Sequence, residues 1–259
     1  MIVQYHKIAF LAALVLAMIF TFSCSSGGDG PEGSSSSGGG VLTIQPNVVY
    51  GTPVTYESET YKTVVIGGQT WFQRNLNYAV AGSKCGNGDS LSDANTTTCD
   101  TYGRLYDWET AMKLPAGCNS KSCSSQIGTK HQGICPNGWH IPSNADWDKL
   151  YRSADSTNGT ESPYYSTTAG RYLKAAKGWN SYNGQSGNGQ DSYGFSALPG
   201  GNGSSGGVFS LVDRYGDWWS ASEGNHNYAY GRDMGYYYEA ALYDYYVKSD
   251  LLSVRCLQD

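Results

Sequence analysis

The sequence predicts an α+β domain, a single loop-rich mixed sheet with few short helices, stapled by disulfides. Three observations carry this. Short β-leaning pieces recur between Gly-rich turns, above all after Gly178, in a chain holding 34 glycines. Helical spacing is confined to a few short segments that precede them. Seven cysteines are present, and an even number remain once Cys24 is set aside, the pattern of an exported disulfide framework. The 259 residues are 39% hydrophobic, enough for a core, and only 15% charged. A chain so rich in aromatics and poor in charge is not broadly disordered. The formal net charge of −5, with no basic cluster, argues against nucleic acid as a partner.

The elements follow in order. Lys7 precedes an apolar run from Ile8 to Phe22, short for a spanning helix and suited to a signal-peptide core. Thr21-Phe22-Ser23-Cys24 resembles the bacterial lipobox, which implies cleavage before Cys24 and acylation of its thiol. Ser25 after the cysteine implies, by the same resemblance, release to the outer membrane. The expected organisation is a signal peptide at 1–23, a lipidated Gly/Ser tether and extended lead-in at 24–57, and one domain at 58–259.

Tyr61–Ile66 is a β-branched strand, and Gly67-Gly68 turns it into a returning strand at Gln69–Phe72. Residues 81–101 read as loop. Tyr106–Leu114 is a short helix candidate stopped by Pro115. The clearest helix is 144–154, with Ser143 as cap, Asp146 at its third position, and Trp147, Leu150 and Tyr151 at helical spacing. Residues 169–174 form another short helix candidate. Strand pieces follow at 195–198, 207–209, 217–220, 229–232 and 252–256.

Cysteine spacing favours two local bridges, Cys85–Cys99 and Cys118–Cys123. Cys135–Cys256 is then the long one. Zinc is the rival reading, but it wants closer cysteine pairs or nearby histidines, and only His131 and His140 are near.

Six motifs occur in order: YKTVVIGGQTWFQRNLNY (61–78), YGRLYDWETAM (102–112), CPNGWHIPSNADWDKL (135–150), YGFSALPGG (193–201), WWSAS (218–222) and SVRCLQD (253–259). Together they resemble the Fibrobacter succinogenes major paralogous domain, over about residues 58–259. Membership implies secretion or lipidation and leaves the biochemistry open. More distantly, Trp139–Trp147 and Ser253–Cys256 are similar to stretches of formylglycine-generating-enzyme-like domains. That resemblance implies a C-type-lectin-like fold, whose ends a Cys135–Cys256 bridge suits. The copper-binding cysteine pair of those enzymes has no counterpart, because Cys118 and Cys123 precede the shared motif. Their activity is therefore not carried over.

Catalytic patterns are thin. No H-E-x-x-H or G-x-S-x-G motif occurs. His140 reads as structural. Asp146 and Asp148 sit two apart on a helix and face different ways. No cofactor is predicted. Calcium stays open, because oxygen-rich loops exist at Asn87, Asp89, Asp93 and Asn95, and at Asn188, Gln190 and Asp191. Turn formation is the plainer role for both.

The most suggestive feature is six tyrosines within 236–246, among 22 in the chain. Alternation in a strand forbids all of them from being core. Tyr236, Tyr238, Tyr243 and Tyr245 are the candidate contact face. Strand propensity alone is the competing reason for so many tyrosines. The leading expectation is a surface-displayed, non-catalytic binding or adhesion module for polysaccharide or a cell-surface partner, touching the membrane only through lipid. The alternatives are an extracellular enzyme acting on a polymer and a structural envelope protein.

Overall fold

A computed structural model describes residues 48–155 and 165–259. The signal segment, Cys24 and the tether up to residue 47 lie outside the described residues. So does the 156–164 segment.

Residues 48–57 of the expected lead-in are part of the compact unit. Val49–Tyr50 pairs with Thr63–Ile66, and Val54–Tyr56 forms a hairpin with Glu59–Tyr61. Thr63–Ile66 and Gln69–Phe72 form the antiparallel hairpin expected from sequence. Gly67 and Gly68 hold φ of 58° and 74°, the left-handed pair that a two-residue turn matching strand twist requires. The chain's last strand, Leu257–Gln258, pairs beside Gln69–Phe72 and beside Trp139–His140, completing a five-stranded sheet.

A larger sheet is built from later residues. Its path runs Phe209–Val212, Gly200–Gly203, Tyr215–Glu223, Tyr228–Gly235, Leu242–Val247. Leu252–Ser253 and Leu105–Tyr106 extend it from the middle. Two cores result. One gathers Tyr61, Phe72, Trp108, Trp139, Trp219 and Tyr246, and the other gathers Trp71, Trp147, Phe195, Trp218 and Met234.

The helices are short: α1 (Thr97–Tyr102), α2 (Trp108–Ala111), α3 (Asn144–Ala154) and α4 (Ala169–Leu173). Here the structure corrects the expected α+β, C-type-lectin-like class. The described residues are mostly β, divided among several sheets. Three of the four helices are about one turn, far below the length at which a helix sustains itself, so they are packing pieces between sheets. The expected 106–114 helix shrinks to α2 because Leu105-Tyr106 is drawn into the large sheet. Its far end closes at Lys113, which takes a left-handed φ of 51°. A non-glycine residue there costs about 1–2 kcal/mol. The 81–101 loop also holds more structure than expected. Cys85–Asn87 and Ser90–Ser92 form a hairpin, and α1 begins at Thr97.

α3 keeps its predicted cap. Ser143 Oγ accepts from the Asp146 N–H at 3.3 Å, while Asp146 Oδ2 accepts from the Ser143 N–H at 2.9 Å. The three disulfides pair as the spacing favoured: Cys85–Cys99, Cys118–Cys123 and Cys135–Cys256.

Two predictions follow from these ties. Replacing Cys135 and Cys256 together by Ser opens a closure of 121 residues. It is expected to cost about 2–5 kcal/mol in denaturant unfolding. Burial raises the Asp146 carboxyl, but hydrogen bonds from Ser143 and the His140 ring 3.6 Å away outweigh it and hold the group below its ordinary 3.8. A depressed carboxylate stabilises the fold above its unfolded pKa and loses that contribution as pH falls through the folded one. Asp146→Asn is therefore expected to cost about 1 kcal/mol near neutral pH. Its deficit against the native chain should vanish in urea melts at about pH 2.

Candidate functional site

The long hairpin Tyr228–Gly235/Leu242–Val247 positions the tyrosines. Its register pairs Tyr230 with Tyr245 and Arg232 with Tyr243. Side chains alternate, so Tyr228, Tyr230, Arg232, Tyr243 and Tyr245 share one face. Asp233 and Tyr246 fall on the other.

The first face is an aromatic platform. Tyr230 and Tyr245 lie with centroids 4.5 Å apart, and their hydroxyls meet at 2.7 Å. Tyr243 completes the group, 6.0 Å from Tyr230 and 6.3 Å from Tyr245. Tyr228 is 39% exposed and Tyr245 is 47% exposed, large values for such rings. Tyr245 closes over Gly224, where an added Cβ would come within 2.9 Å of its ring. Arg232 underlies the platform, its guanidinium 5.9 Å from the Tyr243 ring centroid. That guanidinium is anchored to α3 by Asp148 at 3.1 Å and by Asn144. Burial raises the Asp148 carboxyl, although Arg232 opposes the shift.

The opposite face is closed, with a buried acidic cluster beside the first core. Asp217 and Asp233 stand directly across from each other on neighbouring strands, 0% and 2% exposed. Tyr246 Oη donates to Asp217 at 2.8 Å, Asn202 Nδ2 donates to it at 2.8 Å, and Tyr238 Oη donates to Asp233. Burial, then the nearby carboxylates, push the Tyr246 and Tyr238 hydroxyls far above the usual phenol range. Tyr215 donates to Tyr237 at 3.1 Å, and Tyr236 and Tyr237 meet its ring edge to face, with Tyr182 packed in turn on Tyr236 and Tyr237.

The four sequence-predicted tyrosines are thus divided. Tyr243 and Tyr245 belong to the platform. Tyr238 is spent on Asp233, and Tyr236 packs against the second core. Tyr228 and Tyr230 are platform residues that sequence reasoning missed. Their signal was the Tyr-Ala-Tyr alternation at 228–230, legible only once the 228–235 strand is paired with 242–247.

Asp93, Asn95, Asn188 and Asp191 of the oxygen-rich loops have partners within the chain. Asp93 pairs with Lys84, and Asn95 accepts from Arg104. Asn188 accepts from the Trp179 N–H at 3.0 Å, and Asp191 caps Ser196 through both carboxylate oxygens. His140 is buried, with Nδ1 2.7 Å from Asp259 and Nε2 3.6 Å from Asp146. Asp146 and Asp148 do face different ways, one to His140 and the other to Arg232.

One comparison decides the family. The family model of the Fibrobacter succinogenes major domain matches residues 64–258. The chain belongs to that family. Searches of curated proteins and of solved structures return no match. The matched span holds the larger sheet, all of the five-stranded sheet except Val49–Tyr50 and Thr63, all three disulfides and the whole platform.

The two faces predict different responses to loss of a hydroxyl. Tyr246→Phe leaves buried Asp217 short of a donor and is expected to cost about 1–3 kcal/mol in urea unfolding. Tyr245→Phe, on the exposed face, is expected to stay within about 0.5 kcal/mol of the native chain.

Proposed function

We propose that this chain is an exported surface lipoprotein, acylated at Cys24, whose β domain is a non-catalytic binding module for polysaccharide. The observation that carries this reading is the platform of Tyr228, Tyr230, Tyr243 and Tyr245. Exposed rings held in one group offer wide apolar area at little entropic cost, because a tyrosine has only two side-chain torsions to fix. The C–H face of a sugar ring stacks on such a surface, and the phenol hydroxyls at its edge meet the sugar's own. The Tyr230–Tyr245 hydroxyl contact and the Arg232 support fix the rings before any ligand arrives, which lowers the cost of binding.

The closed acidic face supports binding over chemistry. A polymer-cleaving pair of carboxylates must reach its substrate. Asp217 and Asp233 are buried and hydrogen-bonded to side chains. The lipid anchor rests on the sequence around Cys24, and the apolar run before it supplies the export signal.

The test is retention of the oxidised full chain on insoluble polysaccharides, with and without a calcium chelator. Replacing Tyr228, Tyr230, Tyr243 and Tyr245 together by Ala is expected to abolish retention while far-UV circular dichroism is unchanged. Equal retention by that folded variant rejects the platform. Cys24→Ala is expected to abolish incorporation of labelled palmitate in cells, and continued labelling rejects the anchor.

A further inference from the structure

Well away in sequence from the platform, a cavity of about 260 Å³ opens beside the first hairpin and the end of α2. The rings of Tyr56 and Tyr78 line it, edge to face with centroids 5.3 Å apart. Glu109 and Lys113, four residues apart where α2 ends, contribute one carboxylate and one ammonium. Gln132 adds an amide and Ile134 an apolar patch, beside a Cys135 that the long disulfide holds in place. Aromatic walls with a few polar groups of both signs are the makings of a ligand site.

Lys113 is the informative residue. α2 closes with Lys113 N–H donating to Thr110 O at 3.1 Å and Leu114 N–H donating to Glu109 O at 3.0 Å. The residue at this bend takes a left-handed φ of 51°. Glycine is the residue such a helix end favours. The chain instead places a long, exposed cation there, at the rim of the cavity. Of the eight described non-glycine residues with a positive φ, it is the one that lines this cavity.

We propose that this cavity binds one neutral pyranose ring, the terminal unit of a glycan. Its volume lies just under the roughly 300 Å³ at which drug-sized sites begin, so it suits a single ring with its hydroxyls. The C–H face of the sugar packs on the Tyr56 and Tyr78 rings. Its hydroxyls donate to Glu109, whose Oε2 already accepts from the Asn119 N–H at 3.1 Å and whose other oxygen has further acceptor sites. They accept from Lys113, which has only donors. One charge of each sign leaves the lining without net charge, so a neutral polyol is preferred over an anionic or cationic sugar. The site shares its ligand class with the tyrosine platform but none of its residues, and each stands without the other.

The test titrates methyl β-glucopyranoside, methyl β-galactopyranoside and methyl α-mannopyranoside into the oxidised full chain. Glucuronate and glucosamine serve as charged comparisons, and binding is read by saturation-transfer NMR and calorimetry. At least one neutral glycoside is expected to bind at millimolar strength and better than either charged sugar. Lys113→Gly is expected to weaken it at least tenfold while the melting temperature holds or rises, because glycine relieves the bend. Tyr56→Leu, which keeps apolar bulk and removes the ring, is expected to weaken it similarly. The Ala variant of the four platform tyrosines is expected to bind the monosaccharide unchanged, whatever its retention on polysaccharide. Failure of every neutral glycoside, tighter binding of a charged sugar, or native affinity in Lys113→Gly would overturn the proposal.

Discussion

Asn75 is the joint on which the two sheets depend. Its Oδ1 accepts from Trp218 Nε1 at 2.8 Å and from Arg255 Nε and Nη2 at 3.0 and 2.8 Å. Its Nδ2 donates to Tyr102 O at 2.7 Å and to Ser253 Oγ at 3.1 Å. One buried amide thus ties the segment after the Thr63–Phe72 hairpin, the last residue of α1, the centre of the large sheet and the chain's end. Arg255 carries the tie further, donating to Phe72 O and Phe195 O with its guanidinium 4.4 Å from the Phe195 ring centroid. Burial pulls that guanidinium below the usual arginine range, and no carboxylate is among its hydrogen-bond acceptors. Removing Asn75 would strand several buried donors at once, and an unmet buried donor costs more than a met one contributes.

Other buried cations work in the same way. Lys248 is fully buried, and its ammonium donates to Cys118 O, Lys121 O and His226 O and pairs with Glu223. It also lies 4.6 Å from the Trp108 ring centroid. The small Cys118–Cys123 loop is thereby fastened to the long hairpin, and Glu223 accepts from the Cys123 and Ser124 N–H groups on the same loop. Lys174 donates to Gly235 O and Tyr238 O, holding the turn between the two tyrosine-bearing strands against α4. Burial lowers its pKa to about 8. In a chain only 15% charged, these interior cations act as backbone clamps where regular pairing stops. Buried ion pairs are poor sources of stability but good sources of a unique arrangement. The arrangement fixed here is that of loops, which short strands alone would leave loosely placed.

The sequence made visible what is local. The Gly67-Gly68 turn, the Ser143–Asp146 cap and the two short disulfides each follow from residues within about fifteen positions, where backbone geometry leaves few choices. The six motifs were visible too, although the reason for them was not. Asn75, Tyr102, Trp218, Ser253 and Arg255 each sit in one of four motifs, and they are one hydrogen-bonded network. The fold class was misread because strands such as Gly200–Gly203 carry no β signature. Gly200, Gly201 and Gly203 enter the sheet through partners, not propensity. The tyrosine run showed its alternation but hid the turn near 236–241, which sends Tyr236 and Tyr238 away from Tyr243 and Tyr245. The Tyr56–Lys113 cavity was invisible, because its residues come from four separate stretches and its strained lysine has no sequence mark beyond nearby Pro115.

The same alternation explains why an exposed aromatic face can exist beside a closed acidic one. On the Leu242–Val247 strand, Tyr246 is committed to Asp217 and the first core, and its neighbour Tyr245 is turned outward. The inward residue fixes the strand, and the outward ring is kept in place by Tyr230 beside it and Gly224 beneath it. Arg232, on the tyrosines' own face of the adjacent strand, adds a second tie: its guanidinium is held by α3 and lies 5.9 Å from the Tyr243 ring centroid. Rings mounted on a strand that is locked from behind lose little freedom when a ligand stacks on them. Rigidity behind and exposure in front are therefore one design, and the buried hydrogen bonds of the acidic face are what hold the exposed tyrosines in register.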